Sequence, residues 1–292
     1  TLILTNASLT VAIQAVAPAL PPENIIAEPK PAGTAAALAW AAREIEKRSG
    51  PESTMICVHA DWAIGDDEGF RNALIAAETT AIAERALVTV GVVPTRPDPG
   101  FGYIQPGEST GNGARAVKRF VEKPDRARAE WMLHEGYLWN SGIFAWRVGD
   151  FLGEVRAHTP EVSQALDEKA DEGLTAFFDA VKPISVDVGV LERSDLVRVV
   201  SGDFGWDDVG TWGALRRVKT EDERGNVTHG DVFTLDASGN VVHADGSTVI
   251  LYGVTDLVVV THGDLTLITT TDKSADLKTL IDALPSHLRD FK

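Results

Sequence analysis

At 292 residues the chain is long enough for one large α/β domain with a smaller appendage, and 44% hydrophobic with 24% charged residues is ordinary for a globular protein. Its 43 acidic residues outnumber 27 basic ones, a net charge of −16, which argues against nucleic acid or an anionic membrane surface as partner. An anionic small substrate then requires a local basic site or a metal ion to offset the field.

The chain opens on Thr1-Leu-Ile-Leu-Thr-Asn, without Met, a basic n-region or a small-residue cleavage site, so no signal peptide is expected. It begins inside a strand-like stretch at 2–5, as a fragment or processed chain would. After a loop at 28–31, Thr34 is placed to cap an Ala-rich helix reaching Arg48. Residues 55–59 form an apolar run ending at Asp61, as a buried parallel strand would. This run holds the single cysteine, Cys57, which cannot form an internal disulfide and reads as a small buried hydrophobe in a reducing cytoplasm. Helical periodicity covers 66–85, and 86–93 is a second apolar strand. Strands alternating with amphipathic helices predict an α/β fold with a doubly wound, mostly parallel sheet.

Residues 94–113 read as loops around a short strand, 116–121 as a strand, and 124–134 as a helix with Pro124 at its start. A strand follows at 141–146, then helices through 150–183 with breaks near Thr159-Pro160 and Gly173. From Gly225 the texture changes to short β segments separated by Gly, Asp and Asn, and a helix at 271–284 closes the chain. This predicts a first domain over 1–220 and a small β-rich domain over 221–292.

Five clusters carry candidate chemistry. Asp61 follows a strand end, where open α/β sheets bind ligands, although it equally suits a turn cap. Gly100-Phe-Gly102-Tyr103 allows close backbone approach to a ligand or a plain turn. Phe120-Val-Glu122-Lys123-Pro124 delivers an acid and an ammonium side by side, suited to sugar hydroxyls and phosphate or to a surface ion pair. Trp139-Asn140-Ser141-Gly142 offers an amide that both donates and accepts, or a turn residue. In Phe204-Gly-Trp206-Asp207-Asp208-Val-Gly210-Thr-Trp212, adjacent acids make half of a hard-cation site or a helix cap. The seven histidines show no metal-ligand spacing, and no Gly-x-Ser-x-Gly nucleophile site occurs, so zinc and covalent hydrolysis are not expected.

In this order and spacing the clusters resemble the mannose-1-phosphate guanylyltransferase family of the nucleotidyltransferase superfamily, with Ser185-Val-Asp187 and Leu191-Glu192 looking like its Ser-Ile-Asp stretch. The resemblance implies a Rossmann-like nucleotidyltransferase sheet with a short C-terminal β-helix-like domain. It implies GTP and mannose 1-phosphate as substrates, and GDP-mannose and pyrophosphate as products. Asp61 and Asp208 would hold Mg²⁺, and Lys123 would neutralise the sugar phosphate. Gly102, Glu122 and Asn140 would hold the sugar, with Thr34, Tyr103 and Trp206 also lining substrate. A homodimer through the β domain is a further implication.

Three departures stand beside the resemblance. The family's opening strand and Gly-rich loop with Gly-Thr-Arg and a later Lys do not occur between Thr1 and Lys292, which leads us to expect an incomplete chain. Pro31-Ala32-Gly33-Thr34 replaces the usual Gly-Arg-Asn/Asp-Thr, and Trp62 replaces a usual His. An inactive sugar-phosphate-binding homologue, or a pyrophosphorylase for another sugar 1-phosphate or nucleotide, is the competing expectation.

Overall fold

The computed structural model describes residues 1–289. In chain order its strands and helices begin with β1 (Ile3–Asn6), α1 (Thr10–Val16), β2 (Ile25–Glu28), α2 (Thr34–Ser49), β3 (Thr54–Cys57) and β4 (Trp62–Ala63). Next come α3 (Asp67–Glu84), β5 (Leu87–Val92), β6 (Tyr103–Gly111), β7 (Ala114–Val121), α4 (Arg126–His134) and β8 (Leu138–Arg147). Then follow α5 (Val148–His158), α6 (Pro160–Glu168), α7 (Leu174–Ala180), β9 (Val197–Gly202), β10 (Asp207–Asp208) and α8 (Leu215–Val218). The last are β11 (Val227–Leu235), β12 (Val241–Tyr252), β13 (Leu257–His262), β14 (Leu265–Thr270), α9 (Leu277–Ala283) and α10 (Ser286–Arg289).

Contacts divide the chain into two compact units. One comprises Thr1–His59 and Asp66–Phe204; the other comprises Ala60–Gly65 and Gly205–Lys292. The division at Phe204 precedes the change of texture at Gly225, because β10 and the segment after it pack with residues 60–65 rather than with the large sheet.

In the first unit a six-stranded sheet runs β3-β8-β5-β9-β7-β6, and β1 pairs with β2 in a separate parallel ribbon. The unit is α/β as expected, but the large sheet is mixed: β5–β9 is parallel and the other pairs are antiparallel. Two local causes are visible. Asn112 and Gly113, both at positive φ, turn β6 directly back into β7, and a tight turn of this kind joins antiparallel strands. β8 runs between β3 and β5 against both, so β3, expected as a buried parallel strand, is an antiparallel edge strand with Ile56 partly exposed.

The unit's centre is β5, buried along its whole length. Its core packs the alanine face of α2 (Ala35, Ala36, Ala39, Ala42) with Phe177, Phe178 and the Trp146–Phe151 stack, whose ring centroids lie 4.3 Å apart. Asp66 caps α3 by accepting from the Glu68 N–H at 3.0 Å. Thr34 is not the cap of α2: Gly33 holds that position at φ +81°, and the Thr34 hydroxyl accepts from the Val186 N–H at 2.9 Å. Burial pushes the Cys57 thiol well above its ordinary range.

In the second unit β11, β12 and β13 stack in parallel and β14 returns antiparallel. This is a coil rather than a set of hairpins. Its small core is Ala237, Val242, Leu251 and Val259. Turns between coils are held by buried amides. Asn226 Nδ2 donates to the Ala237 carbonyl at 2.9 Å, and Asn240 Nδ2 donates to Asn226 Oδ1 at 2.8 Å. Asn240 Oδ1 in turn accepts from the Leu257 N–H at 2.9 Å. No helix among the described residues is long and apolar enough to cross a membrane.

Candidate active site

Three strand ends bring the polar residues of the first unit together. The register of β6 pairs Tyr103 with Val121 of β7 and with Trp139 of β8, so Gly102 lies between Glu122 and Asn140. The Asn140 N–H donates to the Gly102 carbonyl at 2.8 Å. A methyl added at Gly102 would stand 2.7 Å from Glu122 Oε2 and 3.3 Å from Asn140 Cβ. The close approach of these two side chains therefore leaves room only for glycine.

Asn140 opens a bulge. Between Thr89 and Gly91 the register of β5 against β8 jumps, and Gly142 takes φ +76°. Bulges re-aim side chains beside active sites. The buried Ser141 hydroxyl secures this one by donating to the Val90 carbonyl at 2.7 Å. The amide of Asn140 is oriented from both sides: Oδ1 accepts from Thr89 Oγ1 at 2.9 Å, and Nδ2 donates to Asp187 Oδ1 at 2.9 Å.

Asp187 begins a π-helical turn over Asp187–Leu191, a geometry frequent at functional sites. The turn is anchored by Thr34, by Thr159 Oγ1 donating to the Gly189 carbonyl at 2.6 Å, and by Arg193 forked onto Glu161. Glu192 Oε1 accepts from the Glu122 N–H at 3.3 Å, bringing a third acid to the cluster.

The electrostatics follow from this crowding. Burial and the neighbouring Asp187 charge raise the Glu122 carboxyl above its ordinary range, against the opposing pull of Lys123. Burial likewise raises Asp187, although hydrogen bonds to its carboxylate, including that from Asn140, oppose the shift. The Lys123 ammonium lies 3.5 Å from Glu122 Oε1 and is exposed, on a backbone at φ +45°. A left-handed non-glycine residue at such a place is a strained conformation of the kind found at ligand sites. The cluster offers carboxylate acceptors, an amide of defined orientation and one exposed cation.

Other expected residues lie elsewhere. Tyr103 is fully buried, and its hydroxyl accepts from the Asp98 N–H at 3.0 Å, which ties it to the 98–103 loop. Arg96 lies over the Trp139 ring at 4.9 Å and pairs with Asp98, which ties the same loop to β8. Sequence reasoning did not single out Thr89 or Arg96 and gave Asp187 no role. Arg96 and Asp187 did carry a signal, in the Pro94-Thr-Arg-Pro97 and Ser185-Val-Asp187 stretches that support the resemblance.

The second unit holds the other acids. β10 pairs antiparallel with β4, matching Asp208 to Trp62 and Asp207 to Ala63. This places the exposed Asp61, one residue before Trp62, on the backbone adjoining Asp208. Gly65 and Gly205 let the two segments touch, the Gly65 N–H donating to the Gly205 carbonyl at 3.1 Å. Trp206 is buried edge-on to Trp62, with centroids 6.1 Å apart. Among the described residues no group of three or more His, Cys, Asp or Glu could hold a metal. Two carboxylates on adjoining backbones fit the donor demand of Mg²⁺, which takes one or two carboxylates and completes its shell with water and substrate phosphate.

Fold and site together define an α/β unit with a cluster of acids around an oriented amide, and a coiled β unit. The chain belongs to the nucleotidyl transferase family, whose sequence profile matches residues 8–225. Residues 230–284 match the MannoseP isomerase/GMP-like beta-helix domain. The chain is 37% identical over 276 residues to the xanthan biosynthesis protein XanB of Xanthomonas campestris pv. campestris, covering 91% of this chain and 58% of that protein. It is 38% identical over 284 residues to the mannose-1-phosphate guanylyltransferase of Escherichia coli K12, covering 91% and 59%. The chain thus spans under two thirds of the length of these curated relatives. The crystal structure of a mannose-1-phosphate geranyltransferase from Thermus thermophilus superposes with a TM-score of 0.87 at 33% identity, over 97% of this chain and 83% of that one.

Proposed function

We propose that the protein transfers a guanylyl group from GTP to mannose 1-phosphate, giving GDP-mannose and pyrophosphate. The observation that carries this reading is the convergence of Gly102, Glu122 and Asn140, with Asp187 orienting the Asn140 amide. Such a set suits a ring of hydroxyls, because carboxylates accept from them and the amide does both. Lys123, exposed at its edge, is suited to neutralise the 1-phosphate as a point charge. The relatives named for this chemistry support the choice of mannose and guanine.

In the reaction an oxygen of the sugar 1-phosphate attacks the α-phosphorus of GTP in line. The bond from that phosphorus to the bridging β-phosphate oxygen breaks, and its electron pair leaves with pyrophosphate. No covalent enzyme intermediate is required, so the rate comes from positioning and charge stabilisation. Asp61 and Asp208 would hold Mg²⁺, which supplies positive charge against the phosphate oxygens. A homodimer in the cytoplasm is the assembly and location this reading carries.

The test is pyrophosphate release from GTP, Mg²⁺ and mannose 1-phosphate, on this chain and on the natural full-length protein. ATP, UTP and glucose 1-phosphate serve as competitors. Faster release with GTP and mannose 1-phosphate than with any other pairing is the expected result. Equal or faster release with another pair would replace the substrates. Mannose 1-phosphate binding without release by either form would make the protein a binding homologue.

A further inference from the structure

The hydrogen-bonding capacity of the Asn140 amide is almost fully spent inside the protein. An amide oxygen accepts two bonds and its nitrogen donates two. Oδ1 accepts from Thr89 Oγ1 at 2.9 Å and from the Gly142 N–H at 3.3 Å, which fills both lone pairs. Nδ2 gives one proton to Asp187 Oδ1 at 2.9 Å. A backbone N–H can only donate, so the end of the amide that faces Gly142 must be the oxygen. Thr89 is fully buried, out of reach of a ligand that could displace its hydroxyl. One valence remains, the second Nδ2 proton. Glu122 presents its complement. Its Oε1 lies 3.5 Å from the Lys123 ammonium, and its Oε2 borders the space beside Gly102, 2.7 Å from where a Cβ there would stand. Asn140 Cβ lies 3.3 Å from the same point. A group bound in that space meets a donor on one side and a carboxylate on the other.

We propose that Asn140 meets the sugar as a donor only, and that Asn140 and Glu122 read one hydroxyl in a fixed direction. The hydroxyl oxygen accepts the second Nδ2 proton, and the hydroxyl proton goes to Glu122 Oε2. The inference rests on reading this cluster as the sugar 1-phosphate site. An asparagine can in general accept from a hydroxyl as well, but the accepting end of this one is taken by Thr89 and Gly142. The pair therefore selects a group that accepts and donates at once. An ammonium in that place cannot accept from Asn140, and a bare C–H can do neither.

The test exchanges the two ends of the Asn140–Asp187 bond in the double variant Asn140→Asp/Asp187→Asn. A carboxylate at 140 can still accept from Thr89, from Gly142 and from the new amide at 187, and the net charge is unchanged. Only the ligand-facing N–H at 140 is lost, with an acceptor in its place. Calorimetry at about pH 8, where free carboxylates are ionised, compares mannose 1-phosphate with analogues carrying an amino group in place of each sugar hydroxyl in turn. Thermal midpoints show that the variant is folded. At one sugar position the exchange should shift the preference from hydroxyl towards amine by about tenfold or more, the worth of one hydrogen bond. A folded variant with wild-type preference at every position would overturn the proposal and leave the sugar site standing. Where the variant does not fold, the side-chain amide spectrum of the wild type decides. Mannose 1-phosphate should shift the Asn140 Nδ2 proton that is not on Asp187 and slow its exchange with water, and an unmoved pair of protons would equally sink the idea. If the wild type does not bind mannose 1-phosphate at all, the sugar reading itself falls and the donor role with it.

Discussion

Asn140 donates its side-chain amide to Asp187 across 2.9 Å, and this bond fixes which end of the amide faces each neighbour. With Nδ2 committed to a carboxylate, Oδ1 is the end that meets the Thr89 hydroxyl. Replacing Asn140 with Ala removes this oriented group, and with it the bond its Oδ1 accepts from the Gly142 N–H at 3.3 Å. The mannose 1-phosphate Kd should rise about tenfold, the loss of a hydrogen bond worth roughly 1.4 kcal/mol. Titration calorimetry reads this directly. An unchanged Kd would remove Asn140 from the sugar site.

Gly102→Ala is a second probe of the pocket. The added methyl would press on Glu122 Oε2 at 2.7 Å, displacing the end of a side chain with no backbone atom among its nearest contacts. Stability should therefore change little, by less than about 1 kcal/mol as for side-chain rearrangements outside a packed core. Sugar-phosphate affinity should fall severely, because the methyl occupies the space between Glu122 and Asn140. A variant that loses its thermal midpoint before its affinity would show that Gly102 serves the fold.

Glu122 and Asp187 give the pocket a pH signature. Both carboxyls are raised in the folded chain, chiefly by burial, so they bind protons at pH values where the unfolded chain has released them. Stability from these groups is fully present below the unfolded values and is lost as pH rises through the raised ones. Glu122→Gln and Asp187→Asn should accordingly gain thermal midpoint relative to wild type as pH rises from about 4 toward 7. Glu161, lowered by its Arg193 partner, contributes in the opposite sense. A wild-type-minus-variant difference that is flat with pH would show that neither acid is perturbed.

In the β coil, Asn240→Ala should unfold the second unit at lower temperature. Asn240 is fully buried, and its loss strands the Leu257 N–H and leaves Asn226 Oδ1 with only the bond from the backbone N–H of residue 240. Each unsatisfied group costs about 1–3 kcal/mol. Amide exchange across 226–270 would localise the loss, whereas uniform exchange would place it elsewhere.

Much of this was legible in the sequence because the signals were local. Asp66 announced the start of α3, the apolar run over 86–93 announced β5, and the glycine and asparagine spacing after 225 announced the coil. The grouping of Gly102, Glu122 and Asn140 came through resemblance, and the register of β6 between β7 and β8 gives it a physical basis. What was hidden depended on distant partners. Met55 and Ile56 read alike in a central or an edge strand, and only the pairing with β8 decides. The bond between the Tyr103 hydroxyl and the Asp98 N–H likewise depends on how the loop folds back. The bond from Arg217 to Asp207 comes from a one-turn helix with no periodicity to mark it.

The pairing of β4 with β10 also carries a consequence for how the chain is made. Coil strands find partners close by in sequence, Val227 on Val241 and Val241 on Val258, so they can zip up as soon as they leave the ribosome. Trp62 must wait for Asp208, with most of the large sheet translated in between. Closing so long a loop is slow and entropically costly. Asp61 therefore gains the adjoining Asp208 only after every strand of the large sheet has been translated.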